Sequence, residues 1–172
     1  MRLFFALLPD APTRERLVVA AAQFRLAGPA RTVAPPNLHI TLAFIGEVPF
    51  PDLDIYRAMG LLSLRRFIFD LDLLQYWPKS QAVVLVARQN LPELAAQADR
   101  LRAVVTQVRP RRDDKPWRAH ATLARKVAQA PVLTEISPVI WVSHSFCLMS
   151  SRTDGDEPVY TVVDSWPLLD KP

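Results

Sequence analysis

Glycine and cysteine are both scarce in this chain, with four glycines and one cysteine among 172 residues. The glycines are scattered, which excludes a Gly-rich loop of the kind that cradles phosphates with backbone N–H groups. A lone Cys147 cannot form an intrachain disulfide, which fits a reducing compartment. It sits in the run Phe146-Cys147-Leu148-Met149, so it reads as apolar filler rather than as a nucleophile. Long hydrophobic runs are missing too. The run Leu3–Leu8 stops at Pro9-Asp10, short of the roughly 7–15 residues of a signal-peptide core, and reads as a buried first strand. No run approaches the roughly 18 apolar residues of a membrane span. Histidine is rare, at three residues, so any pattern among them carries weight.

What is present is an ordinary apolar majority. Half of the residues are hydrophobic and 22% are charged, enough for a sizeable core without cross-links. The length suits one domain or two small, tightly joined lobes. Sixteen prolines favour rigid turns. The net charge is +4, and +3 of it falls in the segment Arg109–Arg118, which favours an anionic partner although such a loop on its own is an ordinary solvated one.

Residues 2–8 read as a strand, followed by a helix capped by Asp10, with Leu17, Ala21 and Phe24 at helical spacing and Gly28 at its end. Pro35-Pro36-Asn37 is a turn, residues 38–45 a strand and residues 49–62 a second helix. Phe67, Phe69, Leu71 and Leu73 alternate with wetter positions as one strand. Residues 82–87 form a central strand. Leu94, Ala98, Leu101, Val105 and Val108 define a helix that begins near Pro92. A strand over 119–124, a helical turn over 131–136, and strands over 144–151 and 158–166 around the turn Thr153-Asp154-Gly155-Asp156 complete the chain. Regular βαβ alternation is absent and hairpins are frequent. An α+β fold with antiparallel sheets is expected.

One repeat stands out. His39-Ile40-Thr41-Leu42-Ala43-Phe44 and His120-Ala121-Thr122-Leu123-Ala124-Arg125 lie 81 residues apart, each closing a strand–helix–strand unit. Residues i and i+2 of a strand share a face. His39, Thr41 and Ala43 are therefore expected on one side, with Leu38, Ile40, Leu42 and Phe44 on the other. Likewise His120, Thr122 and Ala124 oppose Ala121 and Leu123, and the small alanines leave room for a phosphate. A duplicated unit with a pseudo-twofold would bring two His-Thr pairs into one cleft.

That pairing suits phosphodiester chemistry. Two imidazoles near an ordinary pKa of about 6.5 can share one proton, one taking it from the attacking oxygen and the other giving it to the departing oxygen. Threonine hydroxyls can donate to non-bridging phosphate oxygens. A single His-x-Thr is an ordinary half-buried strand, but two copies at duplicated positions point to function. Zinc is disfavoured, because two histidines without a carboxylate or thiol in motif spacing are too few ligands. His144 lacks such surroundings and reads as a strand-end residue.

These two motifs, together with Arg2-Leu-Phe-Phe-Ala-Leu7, Pro35-Pro-Asn-Leu-His-Ile-Thr-Leu-Ala-Phe-Ile-Gly-Glu47, Trp117-Arg-Ala-His-Ala-Thr-Leu-Ala-Arg125 and Tyr160-Thr-Val-Val-Asp-Ser-Trp166, give the chain a resemblance to a known family. It resembles the RNA 2′,3′-cyclic phosphodiesterases, also called 2′-5′ RNA ligases, of the two-histidine phosphoesterases. The resemblance implies a single domain over 1–172 made of two pseudo-symmetric lobes, with two antiparallel sheets around a central cleft. It implies hydrolysis of RNA 2′,3′-cyclic phosphate ends to 2′-phosphates, with a reversible 2′-5′ ligation. It makes His39 the proton donor and His120 the proton acceptor, assisted by Thr41 and Thr122. Arg125 is a phosphate contact only if the strand bulges, since strict alternation turns it away from His120. Arg118, at the end of the basic loop, and Trp117, as a stacking surface, are the other expected RNA contacts. No metal or cofactor is implied. The expected partner is RNA with cyclic phosphate ends, tRNA halves among them, handled by a monomer in the cytoplasm without a membrane. Two other readings are a phosphodiesterase of another small cyclic or 2′-5′-linked nucleotide, and a non-catalytic binder of RNA ends.

Overall fold

A computed structural model describes residues 1–110, 116–153 and 158–170. The chain runs β1 (Arg2–Leu7), α1 (Ala11–Ala21), β2 (Arg31–Thr32), β3 (Ile40–Glu47), α2 (Leu53–Met59), β4 (Phe69–Leu71), β5 (Leu73–Trp77), β6 (Ala82–Val86), α3 (Pro92–Val108), β7 (His120–Arg125), β8 (Val139–Trp141), β9 (Ser145–Thr153) and β10 (Pro158–Pro167). This is the expected α+β architecture with antiparallel sheets.

The strands form two antiparallel halves of four. One half is ordered β10-β9-β1-β3 and the other β5-β6-β7 with β2 on the outer side of β7. Each has the same plan: a buried central strand (β1 or β6), a helix, and a return strand that carries a His-x-Thr motif (β3 or β7). The halves join where Ile40 pairs with Ala121, so the ladder continues through eight strands. A small β4–β8 sheet stands apart. Helices cross between halves. α1 packs against β7 and β8, and α3 packs against β3, so each histidine strand is backed by the other half's helix. The core between sheet and helices includes Leu3, Phe5, Leu17, Leu101, Leu123 and Trp141, none of them exposed. Each such side chain contributes about 1.5–3 kcal/mol by leaving water.

Local chemistry explains the element ends. Asp10 Oδ1 accepts from Thr13 N at 2.9 Å, the expected N-cap. Helix α1 stops at Ala21, however, and Gly28 instead holds a left-handed φ of +66° in the following loop. The alternating stretch 67–73 is not one strand. It breaks at Asp72, whose Oδ1 accepts from Arg88 N at 2.8 Å, so β4 and β5 join different sheets. Residues 131–136 form no helical turn, because Pro131 and Pro138 bracket a segment they steer toward extended backbone. Strands β2 and β8 were not expected from the sequence. The expected turn residues Asp154-Gly155-Asp156, with Glu157, and residues 111–115 of the basic segment lie outside the described residues.

The two histidine strands share an irregularity that strict alternation misses. On β3, Thr41 pairs with Ala6 and Ala43 with Phe5, so Leu42 is the extra residue of a bulge. On β7, Thr122 pairs with Val84 and Ala124 with Val83, so Leu123 is extra. A bulge turns two successive side chains to one face. Leu42 with Ala43, and Leu123 with Ala124, all enter the core. The expectation that Ala43 and Ala124 share the face of the histidines is therefore wrong. So is the placement of Phe44 in the core, since the bulge swings Phe44 to the histidine face, where it packs beside the cluster of Phe4, Ala6, Cys147 and Met149.

Candidate active site

Both histidines are held the same way. His39 Nδ1 donates to Asn37 O at 2.7 Å and His120 Nδ1 donates to Arg118 O at 2.8 Å, each to the carbonyl of the residue two positions earlier. A carbonyl only accepts, so each neutral ring is fixed as the Nδ1–H tautomer and Nε2 carries the lone pair. His39 Nε2 lies 3.2 Å from Thr41 Oγ1, whose hydroxyl donates to it. The two motifs meet where Ile40 pairs with Ala121, and His39 and Thr122 line one cavity.

Each imidazole stands on an apolar floor with an aromatic beside it. Phe4, which touches His39, belongs to a buried cluster with Ala6, Cys147 and Met149. The Phe4 ring is 5.0 Å from the imidazole, and Tyr160 meets it edge-on at 5.2 Å. On β6, Val84 and Val86 lie beside Thr122 and His120, and the Trp77 ring is 4.6 Å from the His120 imidazole. This burial sets the proton affinities. Burial pushes the His39 pKa down to about 4, against the hydrogen bond that Nδ1 donates to Asn37 O and with further depression from the charges of Arg125 and His120. Burial likewise lowers His120, with Arg118 O opposing and Arg125 and Arg118 adding to the effect. Both rings are thus neutral at pH 7 in the unliganded protein.

Two adjoining cavities open on this face. One is lined by residues that include Arg31, Asn37, His39, Thr122, Arg125 and Lys126. The other is lined by residues that include Arg2, Phe4, His39, Thr41, Phe44 and Arg125. His39, Arg125, Pro158 and Tyr160 line both. The bulge at Leu123 is what brings Arg125 to this side. The cavities therefore gather guanidinium and ammonium groups with the Thr41 and Thr122 hydroxyls and the His39 imidazole, a setting for an anion.

Not every expected residue faces this space. Neither cavity is lined by His120, Arg118 or Trp117. His120 stands beside Trp77. Trp117 Nε1 donates to Thr41 O at 2.9 Å, so its indole braces β3 where β3 and β7 diverge. The Arg118 guanidinium donates to Gln75 Oε1 at 3.2 Å and Ala87 O at 3.4 Å. His144 is distant from this group and contacts Arg66. Sequence reasoning missed Phe4, Phe44, Tyr160, Arg2, Arg31, Lys126 and Trp77. Only the two bulges and the neighbouring strands bring them in, and no spacing along the chain signals that.

Comparison with known proteins gives consistent results. Residues 9–168 match the model of the 2′-5′ RNA ligase superfamily. A protein named RNA 2′,3′-cyclic phosphodiesterase from Thermus thermophilus is 34% identical, over 98% of this chain and 90% of its own. One of the same name from Escherichia coli is also 34% identical, over 97% of this chain and 96% of its own. Among solved structures, E. coli LigT in complex with 3′-AMP superposes with a TM-score of 0.84 at 30% identity, covering 97% of each chain.

Proposed function

The chain belongs to the 2′-5′ RNA ligase superfamily, and from that membership we propose that it opens the 2′,3′-cyclic phosphate at RNA ends to a 2′-phosphate by acid–base catalysis between His39 and His120. The observation that carries this is the matched tethering of the two rings, each with Nδ1 on a backbone carbonyl and Nε2 as its working nitrogen. In the proposed step, a water oxygen attacks phosphorus and its proton passes to His120 Nε2. The P–O3′ bond breaks, and O3′ takes the proton carried by His39 Nε2. The product bears a 2′-phosphate and a 3′-hydroxyl. Thr41, Thr122 and Arg125 hold the non-bridging oxygens, where charge develops.

The division of roles is carried over from the family resemblance, with His39 as donor and His120 as acceptor; both rings are half-buried. A bound phosphate offsets the burial of His39 and the charge of Arg125, which raises the His39 pKa and loads the acid. Arg118 and Trp117 support the site from the His120 side. The same chemistry with an RNA 5′-hydroxyl in place of water gives a 2′-5′ linkage. We further propose that the protein works as a monomer in the cytoplasm, with tRNA halves among its RNA ends.

The test is incubation with an oligonucleotide ending in a 2′,3′-cyclic phosphate, in the presence of EDTA, with the position of the product phosphate scored. Conversion to a 2′-phosphate that is lost in both His39→Ala and His120→Ala supports the proposal. Unchanged turnover in both variants overturns it, and tight binding without turnover leaves a binder of RNA ends.

A further inference from the structure

We propose that a groove beside His120, on the opposite side from the two cavities, is the binding site for a second RNA strand, the one that presents a 5′-hydroxyl to the phosphorus. This rests on the catalytic reading above. The strand order β3-β7-β6-β5 puts His39 and the cavities on one side of His120 and Trp77 on the other. The groove is lined by residues that include Trp77, Arg88, Asn90, Ala95, Trp117 and Arg118, and it shares no lining residue with either cavity. It is nevertheless joined to the site at two points. The Trp77 ring is 4.6 Å from the His120 imidazole, and the main-chain carbonyl of Arg118 holds His120 Nδ1 at 2.8 Å.

The lining chemistry fits single-stranded nucleic acid. Two indoles offer faces for bases and two guanidiniums offer charge for the backbone. None of the groove's described lining residues is acidic. Arg88 also pairs with Asp72 at 3.6 Å, just outside the lining. The groove is also preset. Gln75 Oε1 accepts from both Trp77 Nε1 and Arg118, each at 3.2 Å, so an indole and a guanidinium are fixed by one amide next to the catalytic ring.

Position then dictates role. In the proposed reaction His120 takes the proton of the nucleophile, so the nucleophile arrives on this side. With RNA in the groove, the 5′-oxygen forms the new bond to phosphorus and its proton passes to His120 Nε2. The P–O3′ bond breaks and O3′ takes the proton of His39. The product is a 2′-5′ phosphodiester and a 3′-hydroxyl, with nothing left over. Reversal cleaves the same linkage. Occupancy of the groove thus decides between transfer to RNA and transfer to water.

The experiment uses the full chain and RNAs with a single 2′-5′ linkage, lengthened either on the 5′-oxygen side or on the 2′-oxygen side. The variants are Arg88→Glu, which reverses an exposed charge, and Ala95→Glu, which places an anion on the groove wall in the first turns of α3, where an acidic residue suits the helix. Expected is a loss of about tenfold or more in kcat/KM for RNAs lengthened on the 5′-oxygen side, because each variant places a negative charge where the RNA backbone would lie. Hydrolysis of a 2′,3′-cyclic mononucleotide should change less than about twofold, and the salt dependence of the long substrate should flatten. Equal losses on both lengthening series, no loss on either, or a matching loss on the mononucleotide overturns the groove assignment while the active site stands. A wild-type protein inert toward cyclic phosphates overturns the catalytic reading itself.

Discussion

Ile40 lies opposite Ala121 in antiparallel register, and both side chains are fully buried. Through this pair the two halves hydrogen-bond along their histidine strands, and it acts as the local twofold of the site. On one side of this pair, His39 and Thr122 line the same cavity. The spacing of the two histidine strands is thus set by a backbone ladder rather than by flexible loops, which suits the fixed geometry that the proposed two-proton reaction requires.

If the two rings act on one phosphorus, as proposed, their removal should not be additive. His39→Ala and His120→Ala are each expected to lower kcat by about 10²–10⁴, the usual worth of a positioned acid or base. The double variant is expected to fall no more than about tenfold below the weaker single variant. Kinetics on a cyclic-phosphate substrate, with melting curves to confirm folding, check this. Multiplied losses would mean that the histidines act independently.

The depressed histidines predict opposite consequences for stability and for rate. With a folded pKa of about 4 against 6.5, His39 stays neutral between those values while the unfolded chain takes up a proton. Protonation then favours the unfolded state, so stability is unaffected above pH 6.5 and declines as pH falls from 6.5 toward 4. His120 contributes in the same direction. The drop in Tm between pH 7 and pH 4.5 should be smaller in His39→Gln than in the wild type, and equal slopes would refute the burial argument. For catalysis, kcat/KM reports the free protein and kcat the complex. If His39 is the acid, as proposed, the alkaline limb of kcat/KM should lie at lower pH than that of kcat, because a bound phosphate would raise its pKa.

Much of this site is legible in the sequence, and the failures share one cause. The His-x-Thr repeat, the capped helix after Asp10 and the central strand at residues 82–86 follow from periodicity and capping chemistry alone. The orientation of Ala43, Phe44 and Ala124 does not. Alternation of period two holds only while the ladder is regular, and one extra residue at Leu42 or Leu123 reverses it. The sequence marks a bulge only through a Leu-Ala pair small enough to turn both residues inward, and Leu-Ala is too common to be read that way. Trp77 and Tyr160 reach the histidines through strand pairing that no local pattern encodes.

Arg125 owes its position to the bulge at Leu123, and its charge depresses both histidines. Arg125→Gln is expected to raise the pKa of each imidazole, read as an upward shift in the NMR titration of their ring protons. The same change should weaken binding of the anionic substrate by about tenfold or more, as expected when a charge-assisted hydrogen bond is lost. Arg125→Lys should restore the pKa values better than the binding, since lysine supplies the charge without the two-pronged geometry. If Arg125→Gln left both titrations in place, the guanidinium would not face the cleft.

Trp117 is the last link between the repeats, and its role separates bracing from stacking. Its Nε1 donates to Thr41 O at 2.9 Å, satisfying a carbonyl where β3 leaves β7. Trp117→Phe keeps an aromatic face but removes that donor, leaving the carbonyl short of a partner at a cost of about 1–3 kcal/mol. The expected result is a lower Tm and a reduced kcat on a cyclic mononucleotide, because Thr41 shifts against the His39 Nε2 it donates to. Were Trp117 only a stacking surface for RNA, the phenylalanine variant would keep its melting temperature and its mononucleotide rate, and would lose only its affinity for longer RNA.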